Sequence, residues 1–121
     1  MIVSLTTAQF DQFLETDRVV VVVFSADWCQ PCQGFKQVLR DVASQYPLLS
    51  FGLVDVDQEH ELSSDFGIRS VPTLMIFREH VALCRESGVM TKQVLLDLIE
   101  QAQALNMEVV HQGIAQQLLK H

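Results

Sequence analysis

Two cysteines stand three positions apart in the pentapeptide Trp28-Cys29-Gln30-Pro31-Cys32. Thiols at that spacing can trade a disulfide with another molecule, supply half of a metal site, or sit inert in a core. Exchange needs a thiolate, and a thiolate forms most readily beside fixed positive charge or at a helix N-terminus. The flanking residues build such a junction. Val19 to Phe24 is an unbroken apolar run ahead of the pair. After it, Phe35, Val38, Leu39, Val42, Ala43 and Tyr46 recur at helical spacing, and Pro47 ends the pattern. A strand followed by a helix places Cys29 at the helix start, where unpaired N–H groups and the helix dipole favour negative charge. Pro31 suits the first turn, which needs no amide hydrogen. Cys32 then lies one turn along, on the same side and deeper. This assigns Cys29 to attack and Cys32 to resolve.

The competing readings find less support. Zinc would need two more ligands, and the chain offers Cys84 and four scattered histidines, His60, His80, His111 and His121, with no second pair at ligand spacing. No metal site is expected. An inert pair leaves Trp28 and Pro31 without a reason to flank it. Cys84 falls in a predicted strand and reads as a buried apolar residue.

The elements that position the pair follow from periodicity. Ile2 to Leu5 reads as an edge strand, and Thr6 with Gln9 as a capping box ahead of a helix bearing Phe10, Phe13 and Leu14. Val19 to Phe24, with no polar alternation, predicts a central strand covered on both faces. Leu48 to Val56 predicts a second inner strand, and Glu59 to Phe66 a short helix. Ile68 to Pro72 is a loop, and Thr73 to Phe77 a strand that turns at Arg78-Glu79-His80 into Val81 to Arg85. Gly88 precedes a helix capped by Thr91, with Val94, Leu95, Leu98, Ile99, Ala102 and Leu105 facing inward. Asp55 and Asp57 read as solvated or capping carboxylates. The pattern is that of an α/β layered fold.

Composition bounds the function. The 121 residues suffice for one domain with a real core. Eight basic against fifteen acidic residues give a net charge of −7, and no basic stripe appears, so nucleic acid is not an expected partner. The longest apolar runs are too short to span a bilayer. Met1-Ile2-Val3-Ser4 shows no basic stretch ahead of an apolar one, which makes a reducing cytoplasm the expected home.

Four segments in order, Phe24 to Cys32, Val54-Asp55-Val56-Asp57-Gln58, Phe66 to Thr73, and Gly88 ahead of the last core helix, make residues 2 to 105 resemble the thioredoxin family. The resemblance implies a mixed sheet flanked by helices and a cis Val71–Pro72 bond facing the cysteines. It implies reduction of protein disulfides, a dithiol that is its own cofactor, and a thioredoxin reductase-like electron donor. Trp28, Pro31, Val71, Pro72, Gly88 and Val89 would form a shallow apolar docking rim, where an extended substrate segment could pair beside Val71.

Three positions depart from the family pattern. Gln30 replaces a glycine, Val23 stands where a buried aspartate is usual, and Leu53 where a lysine is usual. With no cation or histidine between the cysteines, the expected potential is about −270 to −200 mV. Val23 and Leu53 imply a slower resolving step. They also favour the alternative reading, a binding or assembly module with slow or vestigial turnover. An oxidase or isomerase would need an oxidising compartment. The division expected is a thioredoxin-like domain over 1–106 and an extension over 107–121. In the extension Val110, Ile114 and Leu118 recur opposite Gln112, Gln116 and Lys120, a short amphipathic helix interrupted by Gly113. It would pack on the domain or, in a weak homodimer, on a second copy.

Overall fold

The burial of β2 (Val20–Ser25) on both faces organises the molecule. Every one of its six residues is buried in the computed structural model, which describes residues 1–119. Lys120, expected on the polar side of the last helix, lies outside the described residues. Four valines in a row, preceded by Val19, suit a strand with no solvent face. β3 (Ser50–Asp55) pairs parallel to β2 on one side, and β4 (Thr73–Arg78) antiparallel on the other. β1 (Ile2–Ser4) and β5 (Val81–Ser87) take the edges, for a sheet order β1-β3-β2-β4-β5. The expected edge strand, the two inner strands and the hairpin are all present. β5 runs two residues past the expected Arg85, because its pairing with β4 continues to Thr73 opposite Ser87.

Alternate β2 residues feed two cores. Val19, Val21 and Val23 pack with Phe35, Leu39 and Val42 of α2 (Gln30–Gln45) and with Leu95 and Ile99 of α4 (Lys92–Ala104). Val20, Val22 and Phe24 pack with Phe10 of α1 (Thr7–Phe13) and with Leu62 of α3 (His60–Asp65). Edge-on ring contacts of Phe66 with Phe10 and Phe77 close the second layer. Val94 and Leu105, expected to face inward on the last core helix, are largely exposed. Val94 sits in the first turn of α4, away from its buried stripe, and Leu105 caps the end.

The β4–β5 turn places Glu79 and His80 at φ +52° and +65°, a left-handed pair without the usual glycine. Arg78, beside it, donates through Nη1 to the carbonyls of Ala102, Gln103 and Leu105 at the end of α4. α5 (Met107–Leu119) begins there, held by buried Met107 and by a 3.0 Å contact between His111 Nε2 and Glu79 Oε1. Its stripe then leaves the body of the protein, since Ile114 and Leu118 are exposed. The helix packs on the domain through its first turns alone.

Gly52 shows how closely the second core is built. A Cβ there would run into the buried Leu5 side chain and stand 3.0 Å from Phe13 Cε2. Gly52→Ala is expected to lower stability by about 1–3 kcal/mol through overpacking. A chemical-denaturation midpoint equal to that of the unchanged protein would contradict this.

Candidate redox site

The end of β2 delivers the chain into Ala26, Asp27 and Trp28, and Cys29 becomes the N-cap of α2. Its backbone is extended (φ −87°, ψ 108°), and its sulfur accepts the Cys32 N–H at 3.2 Å. Pro31 occupies the first turn, as its missing donor allows. Gln33 ties this turn back to the loop, its Nε2 donating to the carbonyls of Ala26 and Asp27. The sulfurs of Cys29 and Cys32 are joined as a disulfide, with Cα atoms 5.3 Å apart.

The pair is asymmetric. Cys32 is 1% exposed and Cys29 5%, and both lie in a small cluster with Ala26, Val56 and Val71. Among the described residues the buried polar side chains are Ser25, Ser63 and Thr73, none of them a carboxylate. Val23 and Leu53, the two positions where the resemblance expects charge, are register partners on β2 and β3. They form one apolar patch against the α2 core.

Of the expected rim residues, Trp28 and Pro31 flank the cysteines in sequence and Val71 faces them. The Val71–Pro72 bond is cis, and the Val71 carbonyl oxygen lies 3.8 Å from Cys29 Sγ. In the disulfide that sulfur carries no hydrogen, so this is a close contact and not a hydrogen bond. Gly88, at φ +93°, donates its N–H to the Pro72 carbonyl at 2.8 Å. A side chain at Gly88 would be strained by that backbone geometry. Trp28 and Val89 are 69% and 59% exposed, a high value for large apolar side chains.

Two contacts around the site escape sequence reasoning. Trp28 Nε1 donates to Asp57 Oδ2 at 2.8 Å, fixing the exposed indole beside the disulfide. Asp55, by contrast, serves the capping role expected of it, its Oδ1 accepting the N–H groups of Asp57 and Gln58. Asp57 follows the end of β3, and the parallel register of β3 with β2 alone brings it to Trp28. The second is Arg85, which binds two carbonyls at the end of α3. Cys84, expected to be buried, is partly exposed on β5. Burial, with the Glu86 charge second, raises its thiol above the ordinary value.

A family model for thioredoxin matches residues 1–101. A Streptomyces coelicolor protein assigned as thioredoxin 2 is 42% identical over 95% of this chain and 86% of its own length. The thioredoxin of Mycoplasmoides gallisepticum is 38% identical over 77% of this chain and 93% of its own. Among solved structures, a mutant thioredoxin from Halobacterium salinarum superposes with a TM-score of 0.80 at 31% identity, covering 87% of this chain and 93% of that one. The fold, the N-cap disulfide and the facing cis-proline loop are those of a thiol–disulfide oxidoreductase. The chain belongs to the thioredoxin family. It is accordingly a protein-disulfide reductase whose redox group is its own dithiol. Membership implies protein disulfides as substrates and a reductase as donor. Among the described residues no group of three or more His, Cys, Asp and Glu side chains is placed to hold a metal ion. No helix there is long and apolar enough to cross a membrane.

The three thiols should separate by reactivity. In the reduced protein near neutral pH, iodoacetamide is expected to label Cys29 first, and Cys84 more slowly than a free cysteine. Peptide mapping over time reads this, and equal rates would contradict it. The sign of the pH effect follows from the raised thiol value of Cys84. Its neutral form is the one the fold accommodates, so its contribution is present below the ordinary thiol range. The contribution is lost as pH climbs through that range. Cys84→Ala should flatten that alkaline loss.

Proposed function

We propose that Cys29 is the attacking sulfur and Cys32 the resolving one. The observation that carries this assignment is the Cys32 N–H aimed at Cys29 Sγ from the first turn of α2. Once the disulfide is reduced, that amide and the helix dipole favour a thiolate at position 29. The Cys29 thiolate attacks one sulfur of a substrate disulfide. The substrate S–S bond breaks, and the second substrate sulfur leaves as a thiolate that takes a proton from water. Cys32 then loses its proton and attacks Cys29 Sγ. The mixed disulfide breaks and the first substrate sulfur is released. The substrate gains two electrons, and the protein is left with the Cys29–Cys32 bond. A thioredoxin reductase-like donor returns the two electrons.

Trp28, Pro31, Val71, Pro72, Gly88 and Val89 serve as the substrate rim. Val71 precedes the β4 ladder, which begins at Thr73, so its backbone is free of strand partners on β2 and β5. An extended substrate segment can pair with it there and carry its disulfide onto Cys29. The apolar pair Val23–Leu53 favours a slow resolving step, since no buried carboxylate takes the Cys32 proton. Slow turnover suits partner binding as a second role. The reading is completed by a cytoplasmic site of action, by a thioredoxin-like unit over 1–106 with an extension over 107–121, and by weak self-association through the exposed Ile114–Leu118 stripe. Sedimentation of a Leu118→Asp variant tests the self-association.

Insulin reduction coupled to a dithiol donor tests the activity. Cys29→Ser should fall to background, and Cys32→Ser should hold substrate as a mixed disulfide on Cys29. Absence of both effects would contradict the assignment. Val23→Asp should speed the resolving step by roughly tenfold or more near neutral pH through a proton acceptor. It should also lower stability by about 2 kcal/mol or more, because it buries a polar group among valines. Single-turnover decay of the mixed disulfide measures the first effect, and an unchanged rate would refute it.

A further inference from the structure

The loop that presents Val71 to Cys29 is gripped at both ends by β5 and the residue that follows it. At its downstream end, Gly88 beyond β5 donates to the Pro72 carbonyl. At its upstream end, Arg85 of β5 donates through Nη1 to the Phe66 carbonyl and through Nη2 to the Gly67 carbonyl, the latter at 2.9 Å. Between them, Thr73 Oγ1 donates to the Ser70 carbonyl at 2.7 Å. The two grips lie three positions apart along the chain, so a shift of β5 moves both ends together.

The upstream grip meets a specific need. α3 ends with Gly67 in the left-handed region at φ +60°. Gly67 N–H donates to the Ser64 carbonyl and Ile68 N–H to the Ser63 carbonyl, the paired bonds of a Schellman motif. Those bonds use earlier carbonyls and leave Phe66 and Gly67 to find donors elsewhere. The Phe66 ring is held in the aromatic cluster, but its backbone oxygen faces the Arg85 fork. A planar guanidinium meets two adjacent carbonyls as no lysine can.

We propose that Arg85 is a positioning residue for substrate docking: by clasping the end of α3 it sets where the Val71 backbone stands against Cys29. This rests on the docking role assigned above to the Val71 rim. Arg85 touches neither sulfur, so its effect should fall on how a protein substrate is held. The intrinsic reactivity of the Cys29 thiolate should be spared. Arg78 supplies a matched control. It clasps the end of α4 in the same manner, three carbonyls to one Nη1, but α4 does not lead into the Pro72 loop.

The test compares Arg85→Met, Arg85→Lys and Arg78→Met in steady-state insulin reduction, in reaction of the reduced protein with a small aromatic disulfide, and in thermal unfolding. Arg85→Met should raise KM for insulin by about 3- to 10-fold, the range of coupling through one intermediate contact, with kcat and the small-disulfide rate within about twofold. Arg85→Lys should recover part of the loss. Should Arg85→Met fold poorly, Arg85→Lys carries the comparison by itself, since it keeps the charge without the fork. Arg78→Met should lower the unfolding temperature while leaving KM unchanged. An Arg85 effect on KM no larger than that of Arg78→Met overturns the proposal. A small-disulfide rate falling in parallel with insulin reduction does so too. Trp28→Ala, measured alongside, separates the two levels. If it raises KM and Arg85→Met does not, the role of Arg85 alone fails. If Trp28→Ala also leaves KM unchanged, the docking rim itself fails.

Discussion

One hydrogen bond organises the chemistry: the Cys32 amide donating to the sulfur of Cys29 at the first turn of α2. It exists because Cys29 is the N-cap, extended while its neighbours coil, so its side chain falls back over the first free amides of the helix. Serine, threonine and aspartate oxygens fill this place in most helices. A sulfur there can instead be a nucleophile, and the helix that would be capped by an oxygen stabilises its anion.

The rest of the fold keeps that geometry fixed. β2 is buried on both faces and ends at Ser25, only three residues before Trp28. α2 is seated by Phe35, Leu39 and Val42 on the same valines. The loop across from it carries Val71 within 3.8 Å of the reactive sulfur, with Gly88, Thr73 and Arg85 as its three points of attachment. Trp28 is exposed yet tethered to Asp57. The result is a reactive sulfur in a shallow apolar setting, suited to a protein chain more than to a small molecule held in a deep pocket.

The fold was legible where periodicity was strong. The valine run predicts β2 because no polar residue interrupts it, and Pro31 and Pro47 bracket α2. The spacing of the two cysteines and their place between strand and helix point to exchange chemistry before any coordinate is known. What sequence could not reveal were contacts made by register. Asp57 meets Trp28 across 29 positions because β3 runs parallel to β2. Arg85 meets Phe66 and Gly67 because β5 folds back beside the end of α3. Both residues look like ordinary surface charges in isolation. Val94 and Leu105, expected to face inward, are nevertheless exposed, because α4 buries the stripe Leu95, Ile99 and Ala102, with Val94 beside it in the first turn and Leu105 at the C-cap. The apolar stripe of α5 is correct as a pattern and half right as a packing surface, since Met107 is buried and Leu118 is not.

Val23 beside Leu53 is the clearest local change to the chemistry. A relative with charge at those positions would have a buried proton acceptor, and this chain has methyl groups. The Cys29 thiolate is favoured by the helix start, and that stabilisation can be measured. Ultraviolet titration of the thiolate in the reduced protein, with Cys32→Ser and Cys84→Ala to isolate one sulfur, reports the ionisation of Cys29 directly. The account predicts half-ionisation at a pH clearly below that of free cysteine. Ionisation at the free-cysteine value or above would contradict it.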